Sequence, residues 1–270
     1  MAALCPPGVL MIMSVLTWGS PVAAEPVSAR DIMEKNFHVL KIKRVKESAA
    51  MTLITDKGGV RERKMELVGK LQPNGVDYNL IIRFQYPPDI KGTSFLQIES
   101  VDGDDNLWIY LPALHKSRRL VADNRKDSFF GSDFSYSDIL PLKVDRYEHR
   151  LLRSESLEDH DCYVVESAPK DEKEKNNNGY SKKLSWIRKD NYLESRIEYY
   201  DVKAQLLKTQ AITGHAQVGS EKKIWIALRR EMVNHQTGHK TILAFDRIEV
   251  GPPIADDFFT TGAMEREWRR

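Results

Sequence analysis

From Val45 onward the chain alternates apolar and polar residues in short runs broken by turn residues, the period-two signature of strands with one dry and one wet face. In Asp77–Tyr86, for example, Tyr78, Leu80, Ile82, Phe84 and Tyr86 fall on one face, and Asp77, Asn79, Arg83 and Gln85 on the other. The same reading predicts strands at Val45–Thr55, Val60–Leu71, Asp77–Tyr86, Thr93–Ser100, Leu107–Leu111, Arg118–Val121, Arg146–Ser154, Cys162–Ser167, Lys182–Arg188, Tyr192–Asp201, Leu206–Val218, Lys222–Val233 and Thr241–Val250. The connectors are short and carry turn chemistry, as in Asp56-Lys57-Gly58-Gly59, Pro73-Asn74-Gly75 and Gln236-Thr237-Gly238. Such spacing describes antiparallel hairpins rather than crossover helices.

Helical periodicity is confined to a few places. Ser28 and Asp31 form a capping pair ahead of Ile32, Met33, Phe37, Val39 and Leu40, which predicts a helix over Ala29–Leu40. Shorter candidates are Ser135–Leu140 and the tail Ala255–Trp268. The polar run Lys170–Asn178 lies between two strand candidates and reads as a long solvated hairpin loop. The fold class is mainly β with a few helices (α+β), the antiparallel strands curling into a barrel or a strongly bent sheet whose inner faces form one core.

Charge divides the chain in two. The 41 Lys+Arg and 39 Asp+Glu leave a net charge of only +2, and none of these charges lies before Glu25. Gly8–Trp18 is an apolar run closed by Gly19, Ser20 and Pro21, and Val22-Ala23-Ala24 precedes the first charge. This reads as a secretory signal peptide over residues 1–24, although its first residues carry no Lys or Arg. The expected mature chain is a single domain over 25–270, exported to the periplasm, with no transmembrane segment. Near-zero net charge excludes a strongly basic nucleic-acid binder, so no nucleic-acid partner is expected. Of Cys5 and Cys162 only the latter stays in the mature chain, so neither an internal disulfide nor a cysteine metal cluster is expected.

Little suggests catalysis. His235 and His239 have the i, i+4 spacing of a metal pair, but Gly238 places them around a hairpin turn. His160-Asp161-Cys162 sets a thiol near a base, yet adjacent strand residues point to opposite faces and a lone Cys is an ordinary small core residue. There is no G-x-S-x-G, P-loop, G-x-G-x-x-G or HExxH. The chain is read as a non-enzyme without metal or cofactor.

The densest stretch is Trp108–Leu140, where His115, Lys116, Arg118 and Arg119 follow Trp108 and Tyr110, and Phe129, Phe130, Phe134 and Tyr136 crowd one loop. Leu107-Trp-Ile-Tyr-Leu-Pro-Ala-Leu114, Phe130-Gly-Ser-Asp-Phe-Ser-Tyr136 with Asp138, Phe84-Gln-Tyr-Pro87 and Lys91-Gly-Thr93 resemble the outer-membrane lipoprotein-sorting proteins, a LolA-like family of periplasmic lipid-binding proteins. The resemblance covers nearly all of the mature chain and implies an unclosed barrel wrapped over helices around a cavity for acyl chains. Candidates to line that cavity are Met65, Leu67, Tyr78, Leu80, Ile82, Phe84, Trp108 and Tyr110, with Phe129, Phe130, Phe134 and Tyr136 at its mouth. Trp108 and Tyr110 face opposite to Leu107, Ile109 and Leu111, so only one of these sets faces inward, and the pattern does not decide which. The lipoprotein carrier of this superfamily bonds its lid through a buried arginine; Arg61 and Arg63 lie nearest in position but read as solvated strand residues. The implied partners are lipid acyl chains or a lipoprotein, with an envelope transporter as a further candidate. The alternative function is a periplasmic scaffold that associates with an exporter without lipid transfer.

Overall fold

The computed structural model describes Met1 and residues 27–100, 102–121, 125–219 and 224–266; apart from Met1, the predicted signal peptide lies outside the described residues. Thirteen strands form one antiparallel sheet. They are β1 (Arg44–Ile54), β2 (Val60–Leu71), β3 (Tyr78–Tyr86), β4 (Ser94–Ile98), β5 (Asn106–Leu111), β6 (Lys116–Leu120), β7 (Tyr147–Leu157), β8 (His160–Pro169), β9 (Tyr180–Arg188), β10 (Glu194–Asp201), β11 (Leu206–Val218), β12 (Ile224–Asn234) and β13 (Lys240–Val250). Among the described residues the α-helices that accompany them are α1 (Ala29–Val39), α2 (Tyr136–Ile139), α3 (Glu172–Asn178) and α4 (Thr261–Glu265).

The strand order, β6-β5-β4-β3-β2-β1-β13-β12-β11-β10-β9-β8-β7, joins two local meanders through a single long-range pairing. Val45 stands opposite Val250 and Ile54 opposite Lys240 across β1 and β13. Strands β6 and β7 are left as free edges, so the barrel is unclosed. Segment 125–146 returns from one edge to the other and lies on the inner face. Around the gap, residues just before β5 are tied to residues just before β7: Lys143 Nζ is 2.6 Å from Asp105 Oδ1, and Arg146 Nη1 is 2.9 Å from Asp104 Oδ1.

One cluster fills the inside of the curl, drawing Met51, Met65, Ile82, Phe84, Phe95, Leu107 and Ile109 from one meander and Ile197, Tyr199, Ile212, Met232 and Leu243 from the other. Helix α1 begins at the Ser28 cap, whose hydroxyl accepts from the Asp31 N–H, and its apolar stripe of Ile32, Met33 and Phe37 packs on Val165 and Ile187. Part of the outer face is covered by the C-terminal segment. There the C-terminal residues Ile254, Phe259 and Met264 lie on Val68, Ile81, Leu96 and Tyr110.

Two expectations are corrected. The run Lys170–Asn178 is not a solvated loop: it contains α3, capped by the Asp171 carboxylate accepting from Glu174 N–H and ended by Gly179 at φ 78°. Glu174, Asn177 and Asn178 are buried, with Glu174 paired to Arg125 at 3.2 Å and Asn178 donating to the Tyr147 hydroxyl at 2.7 Å. Trp108 and Tyr110 pack on the outer face beneath the C-terminal segment, and Leu107 and Ile109 take the inner side. Outer-face apolar residues on β5 exist because a distant segment covers them.

The Met264 side chain is fully buried. Met264→Ala is expected to lower stability by about 2–5 kcal/mol through the cavity it leaves, measured by urea unfolding.

Candidate functional site

Beneath α1 and α2, the inner face of the sheet does not close completely, and a cavity of about 230 Å³ remains. An apolar cavity of roughly 150 Å³ already admits a benzene-sized guest. Its walls differ in character. On the side of β1, β2 and β3 the lining is Met51, Met65, Leu67, Tyr78, Leu80 and Ile82, with Phe129 and Phe134 from the return segment. On the side of β9–β12 it is Lys183, Ser185, Glu194, Tyr199, Gln210 and Arg230, interleaved with Ile197 and Ile212. Glu47 on β1 lies between the two walls.

Register explains the mixture. Residues directly opposite one another in an antiparallel pair share a face. Arg230 stands opposite Ile212 on β11 and Leu243 on β13, so its guanidinium occupies an inward position in an apolar row. Glu47 stands opposite Leu67, which in turn stands opposite Ile82. Gly69 makes room for Tyr78: a Cβ at position 69 would collide with the Tyr78 ring and hydroxyl, so only glycine lets that side chain lie across β2.

Burial shifts the cavity's ionisable groups. The Glu47 carboxyl is pushed from its ordinary 4.5 up to about 7, burial outweighing the attraction of Arg230. Burial also raises Glu194 above the usual carboxylate range, against the pull of Arg230 and Lys183 and a hydrogen bond from the Ser185 hydroxyl at 3.2 Å. Burial lowers Lys183, whose ion-pair partner among the described residues is Asp138 at 3.9 Å.

The aromatic loop at the cavity is held from both sides. Phe130 and Gly131 both adopt left-handed backbone (φ 49° and 74°), which turns the chain tightly enough for Phe129 N–H to donate to the Phe134 carbonyl at 2.7 Å. Phe129, Phe130 and Tyr136 form edge-on ring contacts with each other, and Phe84 and Phe95 receive them from the sheet. On the β2 side, Arg63 donates to the Phe130 carbonyl and its guanidinium carbon sits 5.9 Å from the Phe84 ring centre. On the opposite side, Thr241 donates to Asp133 at 2.7 Å. The strongest tie follows at the start of α2. The fully buried Asp138 carboxylate accepts from Lys208 Nζ at 2.6 Å, from Ser135 N–H and hydroxyl at 2.8 Å, and from the Tyr180 hydroxyl at 2.9 Å. Burial alone would raise this carboxyl, but the ammonium groups of Lys208 and Lys183 and these hydrogen bonds hold it below the usual range.

A family model described only as an uncharacterized-protein-like family matches residues 77–266. A domain described as an outer-membrane lipoprotein-sorting protein from Vibrio parahaemolyticus superposes with a TM-score of 0.80 at 28% identity, over 88% of this chain and 98% of that one. A DUF1329 family protein from Desulfovibrio piger gives 0.80 and 28% over 87% and 97%. The chain belongs to the family that this model describes, and its fold is LolA-like. A LolA superfamily protein from Nitrosomonas europaea, with a TM-score of 0.67 at 21% identity over 88% and 100%, shares the LolA-like fold. No curated protein matches the chain.

Within this LolA-like frame, Met65, Leu67, Tyr78, Leu80, Ile82, Phe129 and Phe134 lie at the cavity. Phe84 and Tyr136 are packed into the neighbouring core, and Phe130 is half-buried against it. Trp108 and Tyr110 are on the other face of the sheet. Arg61 is exposed, whereas Arg63 is half-buried against the aromatic loop rather than solvated. Cys162 is buried in a separate cluster with Val164 and Trp186, and burial raises its thiol. Among the described residues no group of His, Cys, Asp and Glu is arranged to hold a metal, and no helix is long and apolar enough to cross a membrane. Sequence reasoning missed Glu47, Lys183, Glu194, Arg230 and the Asp138–Lys208 pair, because a charge in an alternating strand ordinarily marks the wet face.

Two outcomes follow from the buried charges. Removing the Asp138 charge strands Lys208, so Asp138→Asn is expected to destabilise by about 3–5 kcal/mol, against a negligible change for exposed Asp145→Asn, both read by chemical denaturation. Because the folded Glu47 carboxyl binds its proton more tightly than the unfolded one, the native state loses stability as pH rises from about 4.5 through 7. Glu47→Gln is therefore expected to match the wild type at pH 4 and exceed it by up to about 3 kcal/mol at pH 8.5, measured by urea unfolding at the two pH values.

Proposed function

We propose that this protein is a periplasmic carrier that shelters a lipid acyl chain, free or attached to a lipoprotein, in the cavity beneath α1 and α2. The cavity lined by Met51, Met65, Leu67, Leu80, Ile82, Phe129 and Phe134 is the observation that carries this reading. Support comes from the described lipoprotein-sorting domain of Vibrio parahaemolyticus, which shares the fold at 28% identity. An exposed acyl chain in water is unfavourable by about 0.8 kcal/mol per methylene, roughly 12 kcal/mol for sixteen carbons. A carrier must match the bilayer in apolar character and bind little more tightly than it, so that the cargo can leave. A scaffold without transfer needs no empty interior, and its interior would be filled.

The cavity is partly open to solvent and, at about 230 Å³, smaller than the roughly 300–1,000 Å³ of sites for drug-sized ligands, so a full chain is sheltered only as the cover moves to make room. The aromatic loop is the movable part in this reading: it is a connection on a rigid sheet, fastened by Arg63 at one side and by Asp133 and Asp138 at the other. The chain is held by burial, and the reading needs no chemical step.

Delipidated protein is expected to bind a fluorescent fatty acid saturably. Ile197→Trp, which fills the cavity from β10, is expected to weaken binding by about ten-fold or more, the equivalent of roughly 1.4 kcal/mol. Tyr110→Phe, on the outer face, leaves it unchanged. Failure of the unmodified protein to bind any chain-bearing probe would overturn the carrier reading.

A further inference from the structure

The charged groups on the inner face of β9–β12 are not needed to hold an acyl chain, and an apolar wall there would serve that purpose better. Most buried ionic groups of this protein are satisfied: Lys41 meets Glu99 at 2.7 Å, Lys143 meets Asp105 at 2.6 Å, and Lys208 meets Asp138 at 2.6 Å. Arg230 at the cavity is not, although it attracts the Glu47 and Glu194 carboxyls from a distance. It lines the space between Ile212 and Leu243 and makes no hydrogen bond or ion pair among the described residues.

Gln210 repeats the anomaly. Its side chain is 1% exposed and its amide oxygen accepts from the Tyr199 hydroxyl at 2.7 Å, which turns the Nε2 donors away from that partner. Among the described residues no acceptor meets Nε2. A buried donor left unsatisfied is unfavourable by roughly 1–3 kcal/mol. Because Ile212 is opposite Arg230 and Gln210 is two residues earlier on the same face, Gln210 and Arg230 are diagonal neighbours, within reach of a shared small group. Two unsatisfied donor groups thus converge on one polar corner of an otherwise apolar cavity.

We infer that this corner is a head-group site, and that the cavity takes a single-chain carboxylate amphiphile, such as a long-chain fatty acid, with its carboxylate inward on Arg230 and Gln210. The inference rests on the carrier reading and specifies its ligand. A carboxylate is an acceptor-only group whose two oxygens match the planar guanidinium, and the amide donor completes the shell. The methylene chain then runs toward Leu67, Ile82 and Phe134 on the opposite wall. Glu47 and Glu194 also face the corner; burial raises both, so they take protons more readily than ordinary carboxyls and oppose a bound carboxylate less than ionised groups would. The cavity's small volume suits one chain rather than a multi-chain lipid.

The test is a displacement titration of the delipidated full chain at pH 7 with palmitate, hexadecanol and hexadecylamine, which share one chain and differ in the head. Palmitate is expected to bind about ten-fold more tightly than hexadecanol, the effect of hydrogen bonds to a charged group. Arg230→Gln is expected to remove that advantage and leave hexadecanol within about two-fold, which also reports that the variant is folded. Gln210→Leu weakens palmitate selectively in the same way. Equal binding of the three ligands, tighter hexadecylamine, or equal losses for palmitate and hexadecanol in Arg230→Gln would overturn the head-group site while leaving the carrier reading intact. Binding of none of the three would overturn both.

Discussion

The pairing of β1 with β13 holds this molecule together. Each meander is built from hairpins between neighbours in sequence, so its strands find their partners locally; only β1 and β13 must meet across almost the whole chain. That contact fixes the curl of the sheet and with it the position of every inward residue. It also leaves β6 and β7 as edges that never pair, so the interior needs cover from elements outside the sheet. Non-local pairing of this kind raises the entropic barrier to folding, because a long loop must close before any contact compensates it.

The cover comes from α1, the aromatic loop and α2, and each is fixed by polar groups as well as by apolar packing. Asn36 on α1 donates to the Tyr192 carbonyl at 2.9 Å, and Asp138 on α2 gathers Lys208, Ser135 and Tyr180. Buried ion pairs contribute little net stability, since desolvation offsets their attraction, but breaking one is severe. A cover held this way has a defined seat. The cavity is the space left where α1, α2 and the sheet meet without interlocking. Its two walls differ because β1–β3 present apolar side chains, whereas β9–β12 insert Lys183, Glu194, Gln210 and Arg230. The same sheet thereby offers a chain-binding surface and a polar corner within one cavity.

Much of the fold was legible in the residues. Strict alternation in β3 and the short turn motifs between strands specify antiparallel hairpins, and the Ser28 cap with its apolar stripe specifies α1. What failed is instructive. Helix α3 was hidden in a run of Lys, Glu and Asn that has no apolar stripe; its signals were the cap Asp171 three residues before Glu174 and Gly179 at its end. Its polar residues are buried because Arg125, Arg146 and Tyr147, all from elsewhere in the chain, supply partners.

The sequence alone determined which residues share a face, because the two-residue period of a strand is local. It did not determine which face turns inward. Trp108 and Tyr110 alternate with Leu107 and Ile109 as two apolar sets, and the C-terminal segment, more than a hundred residues away, gives the first set a dry surface of its own. Nor did it reveal that Glu47, Glu194 and Arg230 point into the interior, since a charge on a strand looks the same whether its face meets water or a cavity. Periodicity is a property of neighbouring residues, whereas inside and outside exist only after β1 meets β13 and the sheet curls.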